Sequence, residues 1–211
     1  PIDLLDEHGS DAVRYWAASG RPGTDTAFDV GQMKIGRRLA VKILNASKFA
    51  LSQQTSEGLN HSDITEPIDQ ALLSTLADVV EQATAAFEAF NYTRALEVTE
   101  TFFWSFCDDH LELVKDRAYG LHGEAGARSA QATLSLALET MLKLFAPFLP
   151  FVTEEVWSWW KDGSVHTSAW PTAEVLRSFN GNADVVTASA EVLSQLRKVK
   201  SEAKVSMKAG L

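Results

Sequence analysis

Between Val30 and Ser56 the chain places Lys34, Arg37, Arg38, Lys42 and Lys48 and no acidic residue, although the protein as a whole carries a formal charge of −9. Laid on a helix at about 100° per residue, these five cations and Asn45 share one face, while Ile35, Leu39, Ile43, Ala46 and Ala50 take the other. Phe49 breaks the segregation, because it lies inside the basic face one turn from Asn45. Cations, a side-chain amide and an aromatic ring on one surface are the chemistry of single-stranded nucleic-acid recognition. Ammonium and guanidinium groups meet phosphates, the amide matches a base edge, and the ring stacks on an unpaired base. The plainer reading is a solvated charged face whose Phe49 packs on a neighbouring helix.

Catalytic chemistry has little to stand on in these residues. Cys107 and His110, three apart on a helix, are two ligands and not a metal site; a core cysteine beside a surface histidine is the expectation. The adjacent pairs Glu154-Glu155 and Asp108-Asp109 point to different sides of a helix and cannot act on one atom together. Gly20 and Gly23 flank Arg21-Pro22 in a turn with no strand before it, so no phosphate-cradling loop is formed. Trp157, Trp159 and Trp160 read as a hydrophobic lid. No catalytic residue, metal or cofactor is therefore expected within the chain itself.

The elements that would position the basic face are helices joined by polar punctuation. A first helix is expected over residues 6–18, stopped by Ser19-Gly20-Arg21-Pro22-Gly23, and the basic helix over 30–52. A third begins near Thr65 and Pro67 and carries Ile68, Leu72, Leu76, Val79, Val80, Ala83 and Phe87 at helical spacing. Asn91 caps a fourth that turns Val98, Phe102, Phe106 and Val114 inward. A fifth, over 127–146, ends at Pro147, and Pro150 starts a short helix that finishes near Trp160, so the two prolines make an apolar elbow pinned by Phe148 and Phe151. Residues 174–182 read as a linker, 184–200 as a last amphipathic helix, and Lys204-Val-Ser-Met-Lys208 as the possible start of a strand. The fold class expected is all-α: an up-and-down helical bundle.

Composition agrees with one core or a core plus a smaller appendage: 211 residues, 45% of them hydrophobic. An acidic balance confines anion binding to a local patch. A single cysteine excludes an internal disulfide and fits a reducing cytosol. No run approaches the roughly 18 apolar residues of a membrane span, and no signal-peptide core is present. A chain that starts at Pro1 rather than Met is expected to be a piece of a longer one.

Five segments in order carry a resemblance: Gly9-Ser-Asp-Ala-Val-Arg-Tyr-Trp16, Gly23-Thr-Asp-Thr-Ala-Phe-Asp29, Leu44-Asn-Ala-Ser-Lys-Phe49, Phe106-Cys-Asp-Asp-His-Leu-Glu-Leu-Val-Lys115 and Ala146-Pro-Phe-Leu-Pro-Phe-Val-Thr-Glu-Glu-Val-Trp157. Together they resemble the C-terminal half of class I aminoacyl-tRNA synthetases of the valine, isoleucine, leucine and methionine subgroup, and within it most resemble valyl-tRNA synthetases. The family's usual aromatic pair after the Cys-Asp of the fourth helix is replaced here by Asp109-His110. The resemblance implies an anticodon-binding bundle over residues 29–174, preceded by a stem-contact segment over 1–28 and followed by a C-terminal helix and small element over 183–211. It implies that Lys34, Arg37, Arg38, Lys42, Asn45, Lys48 and Phe49 face the anticodon loop of a valine tRNA. Arg14 is implied to contact the tRNA stem, its alternative being an ion pair with Asp11 or Glu7. Arg197, Lys198, Lys200, Lys204 and Lys208 either extend the basic track or solvate a terminal helix, the latter being favoured. The parent enzyme would be a cytoplasmic, monomeric valine–tRNA ligase using ATP with magnesium in domains outside this chain. The alternatives are the same domain of an isoleucyl, leucyl or methionyl enzyme, or a helical protein-interaction scaffold.

Overall fold

The structure, a computed structural model, describes residues 2–54 and 56–206. Its elements are α1 (Ile2–His8), α2 (Ser10–Ser19), α3 (Val30–Ser52), α4 (Pro67–Glu88), α5 (Tyr92–Ser105), α6 (Leu111–Ala118), α7 (Glu124–Phe145), α8 (Pro150–Ser158), α9 (Ala173–Arg177) and α10 (Asp184–Glu202), with short 3-10 turns at His61–Asp63 and Val165–Thr167. Among the described residues there is no strand, and the fold is all-α.

Helix α7 is the axis of the bundle. Its sequence is apolar or small on almost every side, and Leu134, Ala137, Leu138, Met141, Leu142 and Phe145 are all buried. A helix of that kind must be surrounded, and α3, α4, α5, α6 and α8 pack around it. Turns of a few residues send α5 back along α4 and α7 back along α6, which is the expected up-and-down arrangement. At the α4–α5 turn Asn91 N–H donates to Ala86 O at 2.8 Å and Asn91 Oδ1 accepts from Arg94 N–H at 3.2 Å, so one residue closes α4 and caps α5.

Two polar assemblies hold the ends of the bundle. At one, the Arg117 guanidinium grips Asp69 through two bonds of 2.6 and 2.7 Å, and Ser129 Oγ–H donates to the same carboxylate at 2.7 Å. Ser129 Oγ also accepts from the Thr65 and Glu66 N–H groups at 3.1 Å each, so it ties α7 to the start of α4, where Glu66 supplies no side-chain cap. At the other end lies the proline elbow. Asp11 of α2 accepts from Phe151 N–H at 3.1 Å and Val152 N–H at 2.8 Å, capping α8; one turn on, Arg14 donates to Pro147 O at 2.8 Å and Phe148 O at 3.3 Å. The carboxylate thus meets the positive end of one helix dipole and the guanidinium meets carbonyls at the negative end of another.

Several expectations are corrected. The first helix is two, because Gly9 adopts φ 85°, a conformation open to glycine, and turns α1 against α2. The fourth helix is interrupted by a π-turn over Phe106–His110 that inserts one extra residue before α6. His110, four residues from both Phe106 and Val114, lies on the same inward stripe, so it is 2% exposed and not a surface residue. Phe148 is buried at the elbow, but Phe151 is 64% exposed and pins nothing, since Asp11 takes its N–H and its ring faces out. Ile35 is 36% exposed at the margin of α3 and is not in the buried stripe. The linker over 174–182 contains most of α9, whose Leu176 is buried against the core. Lys204, φ 53°, is the left-handed residue that closes α10, with Val205 N–H donating to Lys200 O at 3.1 Å; it does not begin a strand. Lys208 and the rest of that expected strand, from residue 207 on, lie outside the described residues.

Candidate nucleic-acid interface

Helix α3 starts where Asp29 caps it, the Asp29 carboxylate accepting from Gly31 N–H at 2.7 Å and Gln32 N–H at 3.4 Å. Met33, Leu39, Ile43, Ala46 and Ala50 then fix its rotation by burial. At Gly36 the helix comes so close to α2 that a Cβ would lie 2.6 Å from Tyr15 Cβ. With the apolar stripe seated, the cationic face must point outward.

Along the crest of that face stand Lys34, Val41, Asn45 and Lys48, all exposed. On the flank toward α5, the Arg38 guanidinium lies 5.2 Å from the centre of the Trp104 ring and Lys42 Nζ lies 5.7 Å from it, both in cation–π range. Trp104 is itself held, its indole N–H donating to Glu100 at 3.0 Å, while Tyr15 O–H donates to the other Glu100 oxygen at 2.7 Å. Burial, reinforced by that carboxylate, raises the Tyr15 pKa well above its ordinary value, so its hydroxyl stays a donor. Lys42 also pairs with Asp108 of the π-turn at 3.3 Å. On the opposite flank Arg37 donates to Glu7 O at 2.6 Å, tying α1 down, and Lys48 Nζ lies 6.0 Å from the centre of the Trp159 ring.

Near the C-terminal end of the crest Phe49 is half-buried and meets Tyr119 edge to face, with centroids 6.2 Å apart. Between α3 and the π-turn–α6 segment opens a cavity of about 200 Å³, walled by Asn45, Phe49, Cys107 and Leu111 with Lys42 and Lys115 at its margin. Burial pushes the Cys107 thiol up to about 12, so this wall is neutral at physiological pH. The slot combines an amide, a ring, the cations Lys42 and Lys115 and one carboxylate, Glu112, and its shape and polar margin suit a planar, polar-edged group. A larger recess of about 590 Å³, between α1, α2, α3 and α8, is lined by Asp6, His8, Arg37, Val41 and Phe151 among others.

The structure therefore brings Lys42, Asn45 and Phe49 together around one cavity, sets Lys34 and Lys48 along the adjoining crest and places Arg38 on the flank beside Trp104. Arg37 sits on the far flank beside α1. Arg14 pairs with neither Asp11 nor Glu7; it is exposed at the elbow with two of its five N–H donors committed to carbonyls. Arg197 is not a solvated end-of-helix charge, since it donates to Asp109 Oδ1 at 2.9 Å and to the Asp108 carbonyl. Trp104, Asp108, Lys115, Tyr119 and Trp159 complete the surface and were not singled out from the sequence as binding residues. The first four recur at near-helical spacing, a signal that one face is continuous; what that face opposes depends on the π-turn. Among the described residues no cluster of three or more His, Cys, Asp or Glu side chains is placed to hold one metal ion, and no helix is long and apolar enough to cross a membrane.

A family model described as the anticodon-binding domain of tRNA ligase matches residues 69–211. Valine–tRNA ligase of Salinispora tropica is 56% identical across 99% of this chain and 26% of its own length. That of Thermobifida fusca is 59% identical across 99% of this chain and 24% of its own. The solved ternary complex of Agrobacterium radiobacter LeuRS, tRNA and LeuAMS shares the fold, with a TM-score of 0.64 at 20% identity over 83% of this chain and 21% of that one. The chain thus spans about a quarter of the length of the curated relatives it matches. Helix α3 precedes the residues matched by the family model but falls within the stretch shared with those ligases.

Proposed function

The chain belongs to the anticodon-binding domain family of tRNA ligases, and from that premise we propose that it recognises the anticodon loop of valine tRNA on the outer face of α3. The activity of the longer ligase, ATP- and magnesium-dependent attachment of valine in the cytoplasm by a monomeric enzyme, resides in domains beyond this stretch. The observation that carries the reading is the cavity beside Asn45 and Phe49 at the foot of a cationic crest.

Valine anticodons share adenine in the middle place and cytosine in the third. A splayed base entering the cavity stacks on Phe49, and the Asn45 amide offers a donor and an acceptor to adenine's edge. Lys34, Arg38 and Lys48 run beside that position and meet the backbone phosphates, while Lys42 stands at the cavity margin. Arg37 and Arg14 hold α1 and the elbow in place, and in this reading the donors they leave uncommitted serve RNA, those of Arg37 beside the anticodon loop and those of Arg14 on the stem.

Measuring melting temperature and tRNA affinity on one sample of Phe49→Ala tests the assignment. Binding per folded molecule should weaken by about 1–3 kcal/mol, the range for loss of a base-stacking ring. Asn45→Ala should instead reduce discrimination between valine tRNA and a transcript with an altered anticodon more than it reduces affinity for either. A Phe49→Ala protein that melts lower but binds with unchanged affinity per folded molecule would remove Phe49 from the interface and leave it a packing residue against Tyr119.

A further inference from the structure

Among the described residues, Lys42 is the cation of α3 that forms an ion pair, and its partner Asp108 lies on the π-turn at the edge of the same cavity. The pair is open to water, with side-chain exposures of 36% and 58%, and such pairs contribute little and exchange readily. The backbone of Asp108 is anchored, so its carboxylate stays within reach of the Lys42 position. Its carbonyl is held by Arg197, its neighbour Asp109 is held by the same guanidinium, and Phe106 and Cys107 are buried beside it. Lys42 keeps a second seat on the Trp104 ring when it leaves the carboxylate. The pattern repeats at the cavity's other end, where Lys115 lies 3.7 Å from Glu112 of its own helix.

We propose that Asp108 is a fixed competitor for RNA phosphate at Lys42, so that this contact forms only for an RNA whose base also fills the cavity. The proposal rests on the RNA-binding reading given above. A carboxylate at that position raises the cost of any polyanion that merely brushes the crest, whereas a ligand that inserts a base recovers the loss through Phe49 and Asn45. That is selectivity by an internal penalty. It has a thermodynamic signature. When a phosphate takes Lys42, counterions leave the RNA, but the abandoned Asp108 gathers a cation from solution. The two oppose each other, so the Lys42 contact adds less to the salt dependence of binding than an unpaired lysine would.

Asp108→Asn keeps the shape and the backbone carbonyl that Arg197 holds while removing the charge. Binding of the chain to a valine tRNA transcript and to an unstructured polyuridylate is compared over a range of salt for wild type, Asp108→Asn, Lys42→Ala and the double variant. Asp108→Asn should bind both RNAs about two- to fivefold more tightly at low salt, with the larger gain for polyuridylate. The slope of log affinity against log salt should steepen, by at most about 0.7–0.9, the value of one whole phosphate contact. Both effects should vanish when Lys42 is alanine. An unchanged slope, a weaker Asp108→Asn protein, or a gain that persists without Lys42 would overturn the exchange while leaving RNA binding intact. Failure of the wild-type chain to bind either RNA would instead remove the reading on which the exchange depends.

Discussion

His110 is a buried ring with neither nitrogen hydrogen-bonded, stacked on Phe106 at 5.8 Å and lodged beside the Asp69–Arg117 pair. Burial lowers its pKa to about 4, against the opposing pull of Asp69. Between its ordinary value of about 6.5 and pH 4 the unfolded chain therefore takes up a proton that the folded chain refuses. Its contribution to stability is complete above about pH 6.5 and is lost as pH falls toward 4, by about 3 kcal/mol at about 1.4 kcal/mol per pKa unit. Urea unfolding at pH 7 and pH 4.5 should show His110→Phe losing about 2–3 kcal/mol less than wild type over that interval; parallel losses would mean that the ring is protonated in the folded chain. Asp69, fully buried under Arg117, makes a different forecast. Asp69→Ala strands a guanidinium that is largely buried and should cost about 3–5 kcal/mol in chemical denaturation, whereas a cost below about 1 kcal/mol would show that water replaces the carboxylate. From the sequence, the helical period put Lys34, Asn45 and Lys48 on one exposed face of α3, because a long amphipathic helix has few ways to turn. His110 was expected at the surface because imidazole is polar, although its spacing, four residues from both Phe106 and Val114, already places it on the inward stripe; the π-turn is what no residue type announces.

The elbow shows what an element can and cannot declare in advance. Pro147 and Pro150 stop one helix and start another wherever they occur, so α7, the bend and α8 were readable from two residues. That α2 clamps the bend was not, since Asp11 and Arg14 meet it from more than a hundred residues away. Asp11→Ala leaves two N–H groups of α8 without their acceptor and should lower stability by about 1–2 kcal/mol; a melting temperature equal to wild type would show that water caps α8 as well. Trp157 is buried against the core with Lys143 and Lys161 over its ring, at 5.7 and 5.9 Å. Trp157→Ala should cost about 3–5 kcal/mol, and the lid assignment fails if the unfolding midpoint does not move.

Across the whole molecule, an acidic bundle keeps one helix face free of carboxylates and ties its margins into neighbouring elements: Arg37 to α1, Arg38 and Lys42 to Trp104, and Lys48 to Trp159. Those tethers restrict flexible side chains, so less side-chain entropy would be lost if the face binds RNA as proposed. The central claim is that this face reads an anticodon and does not simply attract RNA. It is tested most directly by measuring the affinity of the chain, at one fixed salt concentration, for a valine tRNA transcript and for the same transcript with the middle adenine of its anticodon changed to guanine. If the face reads the anticodon, the unaltered transcript binds more tightly by about 1–3 kcal/mol, the discrimination of one well-paired base edge. Equal affinity for the two transcripts would contradict it and leave α3 as a charged surface without a reading function.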